Sequence, residues 1–191
     1  MCPQPDPSVM AEAAEFSAVE RQTLLRVAHH SIEAALKESS VDMTPPSEHL
    51  GEYRGAFTTL HLHGKLRGCI GYVFATQSLY RTVAETARSA AFDDPRFEPV
   101  SKEEAPDLKI EISVLSPLKP IAPGELVIGK HGLVVSYGSR RGLLLPQVPV
   151  EWGWDRETFL SQTCMKAGLA PNAWQHGAEL QAFTAEVFGE E

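Results

Sequence analysis

Ala56-Phe57-Thr58-Thr59-Leu60-His61-Leu62-His63-Gly64-Lys65-Leu66-Arg67-Gly68-Cys69-Ile70-Gly71-Tyr72 is the stretch on which the fold turns. From Gly55 the pattern has period two. Ala56, Thr58, Leu60 and Leu62 fall on one side, and Phe57, Thr59, His61 and His63 on the other, as expected of a strand with unlike faces. His63-Gly64-Lys65 reads as a hairpin turn, and the return strand carries Leu66 to Tyr72. That strand ends in the hexapeptide Leu66-Arg67-Gly68-Cys69-Ile70-Gly71, which sets a thiol between two glycines and after an arginine. Gly68 and Gly71 can adopt φ > 0 and gather backbone N–H groups around an anion. The adjacent guanidinium favours thiolate over thiol. A tight structural turn around a buried thiol fits the same residues.

Helices flank the hairpin. Ser17-Ala18-Val19-Glu20 is a capping box and predicts a helix to about Glu38, with Leu24, Leu25, Ala28, Ile32, Ala35 and Leu36 at helical spacing. A second helix is expected from about Leu79 to Ala91, its alanines allowing close packing, before Asp93-Asp94-Pro95-Arg96-Phe97 turns the chain. Leu108 to Leu115 alternates cleanly as a strand. Glycine-punctuated segments at Leu126–Ile128, Leu133–Tyr137 and Leu143–Leu145 predict an antiparallel meander, whose edge is a place for another copy to pair. Asp155 can cap a third helix through Ala167, stopped by Gly168, and a last strand is expected over about Gln181–Phe188, with Phe183, Ala185 and Val187 inward. Trp152, Trp154 and Trp174 are expected to close the core beneath that third helix. Helices and strands intermix without a βαβ repeat, so the expectation is an α+β fold with a mainly antiparallel sheet.

Composition narrows the function. The chain has 191 residues, 43% of them hydrophobic, and a formal charge of −8. The acidic balance argues against a phosphate-binding surface for nucleic acid, and Arg140-Arg141 reads as a solvated hairpin tip. No stretch approaches the ~20 apolar residues of a membrane span. Cys2, Cys69 and Cys164 form neither a disulfide framework nor a CxxC pair, so a reduced, cytoplasmic setting is expected. Residues 1–15 read as a disordered leader, and 17–188 as one domain.

The hexapeptide, Asp94-Pro95-Arg96-Phe97, Glu111-Ile112-Ser113-Val114-Leu115-Ser116-Pro117 and Gly142-Leu143-Leu144-Leu145-Pro146-Gln147-Val148, followed by Trp154, Cys164-Met165-Lys166-Ala167-Gly168-Leu169 and Trp174, together resemble the AMMECR domain family. Its bacterial and archaeal members are called AmmeMemoRadiSam system protein A. The resemblance implies two intimately packed subdomains of unequal size. It also implies association with a radical SAM protein and a Memo-type protein. It assigns no reaction.

The candidate catalytic residues are Cys69, Glu111 and His131, with His61 and His63 as further bases. The candidate ligand-binding residues are Arg67, Gly68, Gly71, Asp94, Arg96 and Gln147. A nucleophilic cysteine needs partial exposure and a base within hydrogen-bond reach. Glu111, if covered by a helix, needs a partner such as Arg67 or Arg96. Asp94 can cap local amides, and Arg96 can bind Asp94 or an anionic ligand. His61 and His63 are too few for a metal site, and neither metal nor cofactor is expected. Two functions compete: a cofactor-independent enzyme using Cys69 as nucleophile or thiol carrier, and a binding module for a small molecule or one of the two partner proteins.

Overall fold

The computed structural model describes residues 14–190. Ser17 and Glu20 form the capping box that opens α1 (Ala18–Leu36), and Ser47 caps the short α2 (Glu48–Gly51). β1 (Ala56–Leu62) and β2 (Lys65–Tyr72) form the hairpin, joined by His63 and Gly64, whose φ values of 51° and 76° give the primed turn that matches strand twist. α3 (Leu79–Phe92) follows, then β3 (Leu108–Leu115). The second half comprises β4 (Lys119–Pro120), β5 (Gly132–Tyr137), β6 (Arg140–Leu144), α4 (Gln147–Glu151), α5 (Arg156–Lys166), β7 (Glu179–Phe183) and β8 (Ala185–Gly189).

The strands form two four-stranded antiparallel sheets, β2-β1-β3-β8 and β4-β7-β5-β6. α1 and α3 cover one face of the first sheet, burying Leu60, Ile110, Ile112, Leu24, Ile32 and Val83 in the larger core. α5 covers one face of the second, around Leu133, Val135, Phe159 and Leu160. A third cluster joins the sheets, with Leu115, Val134 and Phe183 packed by Phe57, Val73 and Leu143. This is the α+β, mainly antiparallel architecture expected, with cores of unequal size.

The chain crosses between the sheets twice, side by side. Ser116 N–H donates to the Thr184 carbonyl, and Thr184 N–H donates to Ser116 Oγ. This crossing corrects the expected last strand: Gln181–Phe188 is two strands in different sheets, broken at Thr184. The break also resets the alternation. Val187 is 54% exposed and Phe188 enters the larger core. Leu126–Ile128 is not a strand either, because β7 takes the place beside β5 that the meander assigned to it; Leu126 is buried in the smaller core instead. Trp154 and Trp174 pack on that core as expected, while Trp152 is 70% exposed. Most of the expected leader lies outside the described residues, but Glu15 is anchored, its N–H donating to Glu186 and its carboxylate accepting from Arg54.

Candidate functional site

The site begins with an irregularity in the hairpin. Leu62 pairs with Lys65 and His61 with Leu66, but Leu60 pairs with Gly68, so Arg67 is an extra residue on β2. A one-residue bulge flips every following side chain to the other face. In regular register Cys69 would face the helices opposite Thr58. The bulge instead sets it opposite Thr59, on the face that α1 and α3 do not cover. Thr59 in turn pairs with Glu111 on β3. One row across the sheet therefore reads Cys69, Thr59, Glu111. The row toward the second sheet holds Gly71, Phe57 and Ser113, and the opposite row His61 and Lys109. Cys69, Thr59, Glu111 and His61 are all half-buried.

The two glycines serve packing rather than backbone freedom. Neither has positive φ, which corrects the expectation of an anion-gathering turn. A Cβ on Gly68 would overlap the Ala90 carbonyl oxygen of α3, and one on Gly71 would overlap the Phe57 ring. Gly68 thus lets the helix backbone lie on the sheet, and Gly71 lets an aromatic ring cross the strand toward the second sheet.

β2 is an edge strand, and at Cys69 its outward backbone groups are met by the Asp94–Arg96 turn. Cys69 N–H donates to Asp94 Oδ2 at 2.9 Å, and Arg96 Nη2 donates to the Cys69 carbonyl at 3.4 Å. Asp94 also accepts from the Arg96 amide at 3.1 Å, from its Nε at 3.0 Å and from its Nη2 at 2.7 Å. The Asp94 side chain is 2% exposed and that of Arg96 55%. The Arg96 guanidinium, followed by burial working in the opposite sense and by the two donated amides, holds the Asp94 carboxyl well below the usual carboxylate range. The Asp-Pro-Arg turn thereby closes an edge otherwise open to strand addition.

The remaining candidates separate. Arg67 turns to Glu104, with Nε–Oε1 at 2.9 Å and Nη2–Oε2 at 3.0 Å, so its charge is matched there and not at the thiol. Glu104 also accepts from Ser101 N–H, and it is held down to about 2, chiefly by Arg67. Among the described residues, Glu111 pairs with neither arginine, no helix covers its face, and its carboxylate has no hydrogen-bond or ionic partner. Cys69 Sγ accepts from Thr59 Oγ1 at 3.3 Å. His131 lies in the turn before β5, where its Nδ1 accepts from Val127 N–H and its ring lines a shallow pocket with Ser116, Pro117 and Pro120. Gln147 is exposed at the start of α4. Both belong to the second sheet's loops and not to the Cys69 row. His63 occupies the hairpin turn, exposed to solvent.

Sequence reasoning missed Thr59 and Glu104. Glu104 carried a signal, since Ser101-Lys102-Glu103-Glu104 has capping-box spacing and makes both reciprocal bonds. Thr59 carried none, because its pairing depends on the bulge. Cys164 is buried in the smaller core, and burial pushes its thiol up. Among the described residues, Glu15, His49 and Glu52 approach one another closely enough to hold a cation. Arg54 already donates to both carboxylates, and His49 Nδ1 meets Glu20, so the cluster is an ion-pair network. No described helix is long and apolar enough to cross a membrane.

An edge-closed antiparallel sheet, joined through a shared core to a smaller one, defines a two-lobed α+β protein with a thiol-bearing sheet face. The AMMECR1 family model matches residues 25–188, and this chain belongs to that family. A protein of Thermococcus gammatolerans is 44% identical over 184 residues, covering 88% of this chain and 89% of its own. One from Methanothermobacter thermautotrophicus is 42% identical over 188 residues, covering 93% and 98%. The crystal structure of the uncharacterized protein PH0010 from Pyrococcus horikoshii matches with a TM-score of 0.71 at 42% identity, covering 88% of this chain and 90% of that one.

Proposed function

We propose that this protein is a non-catalytic binding module whose recognition surface is the outer face of the first sheet around Cys69, Thr59 and Glu111. One observation carries the reading. The side-chain partner of the Cys69 sulfur is a hydroxyl that donates to it, and the Cys69 amide is committed to Asp94. Among the described residues no base lies in hydrogen-bond reach of this thiol, and its own N–H is not available to an oxyanion. Glu111 supports the same reading, as a half-buried carboxylate free to meet a donor or cation on a ligand. Following the family resemblance, the partners to test are a radical SAM protein and a Memo-type protein, with a small molecule as the further occupant.

The competing enzyme reading has one observation in its favour: His61 shares the face of Cys69, one row away, as a diagonal neighbour. The two are separated by measuring Cys69 alkylation by iodoacetamide, in a variant with Cys2 and Cys164 replaced, beside binding of the two partner proteins. Binding predicts a rate no faster than free cysteine, partner affinity retained in Cys69→Ser, and affinity lost in Thr59→Arg. A faster thiol slowed by His61→Gln, with no partner bound, overturns it.

A further inference from the structure

Each of the two sheets has two edges, and three of the four are closed by a recognisable device. At Cys69, β2 is capped by Asp94 and Arg96. Beside β8 runs the segment whose Glu15 and Phe16 amides donate to Glu186. β4 is two residues long and ends in proline, which cannot donate to an added strand. Among the described residues the fourth edge, β6, has none of these.

The register shows which backbone groups β6 leaves open. Tyr137 and Arg140 close the hairpin across the two-residue turn Gly138-Ser139, so Arg140, Gly142 and Leu144 exchange bonds with β5 and the alternate residues point away. Those are Arg141 and Leu143. Among the described residues, their outward N–H and C=O groups meet no hydrogen-bond partner. The flanks are basic. Arg141 is exposed and lies over the Phe74 ring at 4.9 Å, on the side facing the first sheet. Arg140 lies on the other side, where its Nη1 donates to the Gly168 carbonyl past the end of α5. Lys166, the exposed last residue of α5, adjoins Gly142, where a Cβ would come within 2.7 Å of the Lys166 carbonyl carbon.

We propose that the β6 edge is a strand-addition site for an extended acidic segment of a partner protein. The open amides and carbonyls of Arg141 and Leu143 would supply the main-chain bonds, and Arg140, Arg141 and Lys166 would select carboxylates on alternate sides of the added strand. On a chain carrying a net charge of −8, two arginines on the open edge, with Lys166 exposed at the adjoining end of α5, are complementary to an acidic strand. Charged residues on an edge also discourage indiscriminate pairing, which is how the same arginines admit one class of segment and reject others. This surface is distinct from the Cys69 face and does not depend on the reading given for it.

The test uses the full chain and two acetylated hexapeptides, one alternating Glu and Val and the other Lys and Val, followed by fluorescence anisotropy and amide hydrogen exchange. The acidic peptide is expected to bind roughly tenfold or more tightly than the basic one at low salt, with exchange at the Arg141 and Leu143 amides slowed. Binding is expected to be lost in Arg140→Glu/Arg141→Glu. Leu143→Pro, which removes an outward N–H without removing a bond to β5, is expected to weaken binding with the charges in place, whereas Leu143→Ala, which loses the same side chain from the shared core but keeps the amide, is expected to bind as the parent does. Equal binding of both peptides, or binding without slowed exchange at those two amides, overturns the proposal. Slowed exchange that grows with protein concentration in the absence of peptide also overturns it, and assigns the edge to a second copy.

Discussion

Replacing Asp94 by alanine tests the coupling between the Asp-Pro-Arg turn and the cysteine strand. The buried carboxylate accepts four bonds, one from Cys69 N–H and three from Arg96. The Arg96 guanidinium is more than half exposed, so its pairing contributes about 0–1 kcal/mol once water screening is counted. The Arg96 amide lies in an exposed turn and can rehydrate. The Cys69 amide sits on a half-buried strand, and leaving it unpaired costs about 1–3 kcal/mol. Asp94→Ala is therefore expected to lose about 1–4 kcal/mol. Asp94→Asn keeps one oxygen for the Cys69 amide and is expected to lose about half as much. Urea unfolding at neutral pH reads both values as midpoint shifts at constant slope. Hydrogen exchange at the Cys69 amide locates the effect: slow in the parent despite its edge position, fast in Asp94→Ala, intermediate in Asp94→Asn. A loss below about 0.5 kcal/mol, within the range of an ordinary surface substitution, or unchanged exchange at Cys69, would refute the reasoning.

Gly68→Ala is expected to cost about 1–3 kcal/mol, because the new methyl meets the α3 backbone at Ala90 and not a side chain that can swing away; Gly124→Ala, with open space around it, is the control, and equal stability of the two would count against close helix–sheet approach at Gly68. Acid sensitivity follows from Glu104 and Glu20, each held down from 4.5 to about 2, by Arg67 and by Ser17 respectively. A lowered folded-state value means that their stabilisation is complete above pH 4.5 and drains away as pH falls toward 2. Glu104→Gln is expected to lower stability at neutral pH, by on the order of 2 kcal/mol, and to flatten its decline over that window; an unchanged pH profile would show that the Arg67 pair contributes nothing to folding.

Local chemistry explains why so much of this architecture could be read from the chain. The Ser17–Glu20 capping box, the His63-Gly64 turn, the Asp155 cap and the Gly168 stop all satisfy backbone groups with residues at most a few positions away, and each appears where sequence spacing put it. The same holds for the period-two strands at β1 and β3, whose apolar faces needed a core on one side only. The readings that failed depend on distant neighbours. Leu126–Ile128 has a strand's composition, but β7 competes for the same place beside β5. Gln181–Phe188 alternates as one strand, yet the Ser116–Thr184 crossing breaks it, and inward residues after the break fall on the other parity. For the site, the motif residues Cys69, Asp94 and Arg96 were legible as a group because each is an unusual residue type in a tight turn or between glycines. Their contact across a strand edge was not legible, and neither was the match of Arg67 to Glu104. Those pairings are set by a single bulged residue in β2, which moves Cys69 from the helix-covered face to the open one. Hydrogen bonds between neighbours in sequence are written in the sequence; the register of one strand on another is settled by the packing of the whole sheet.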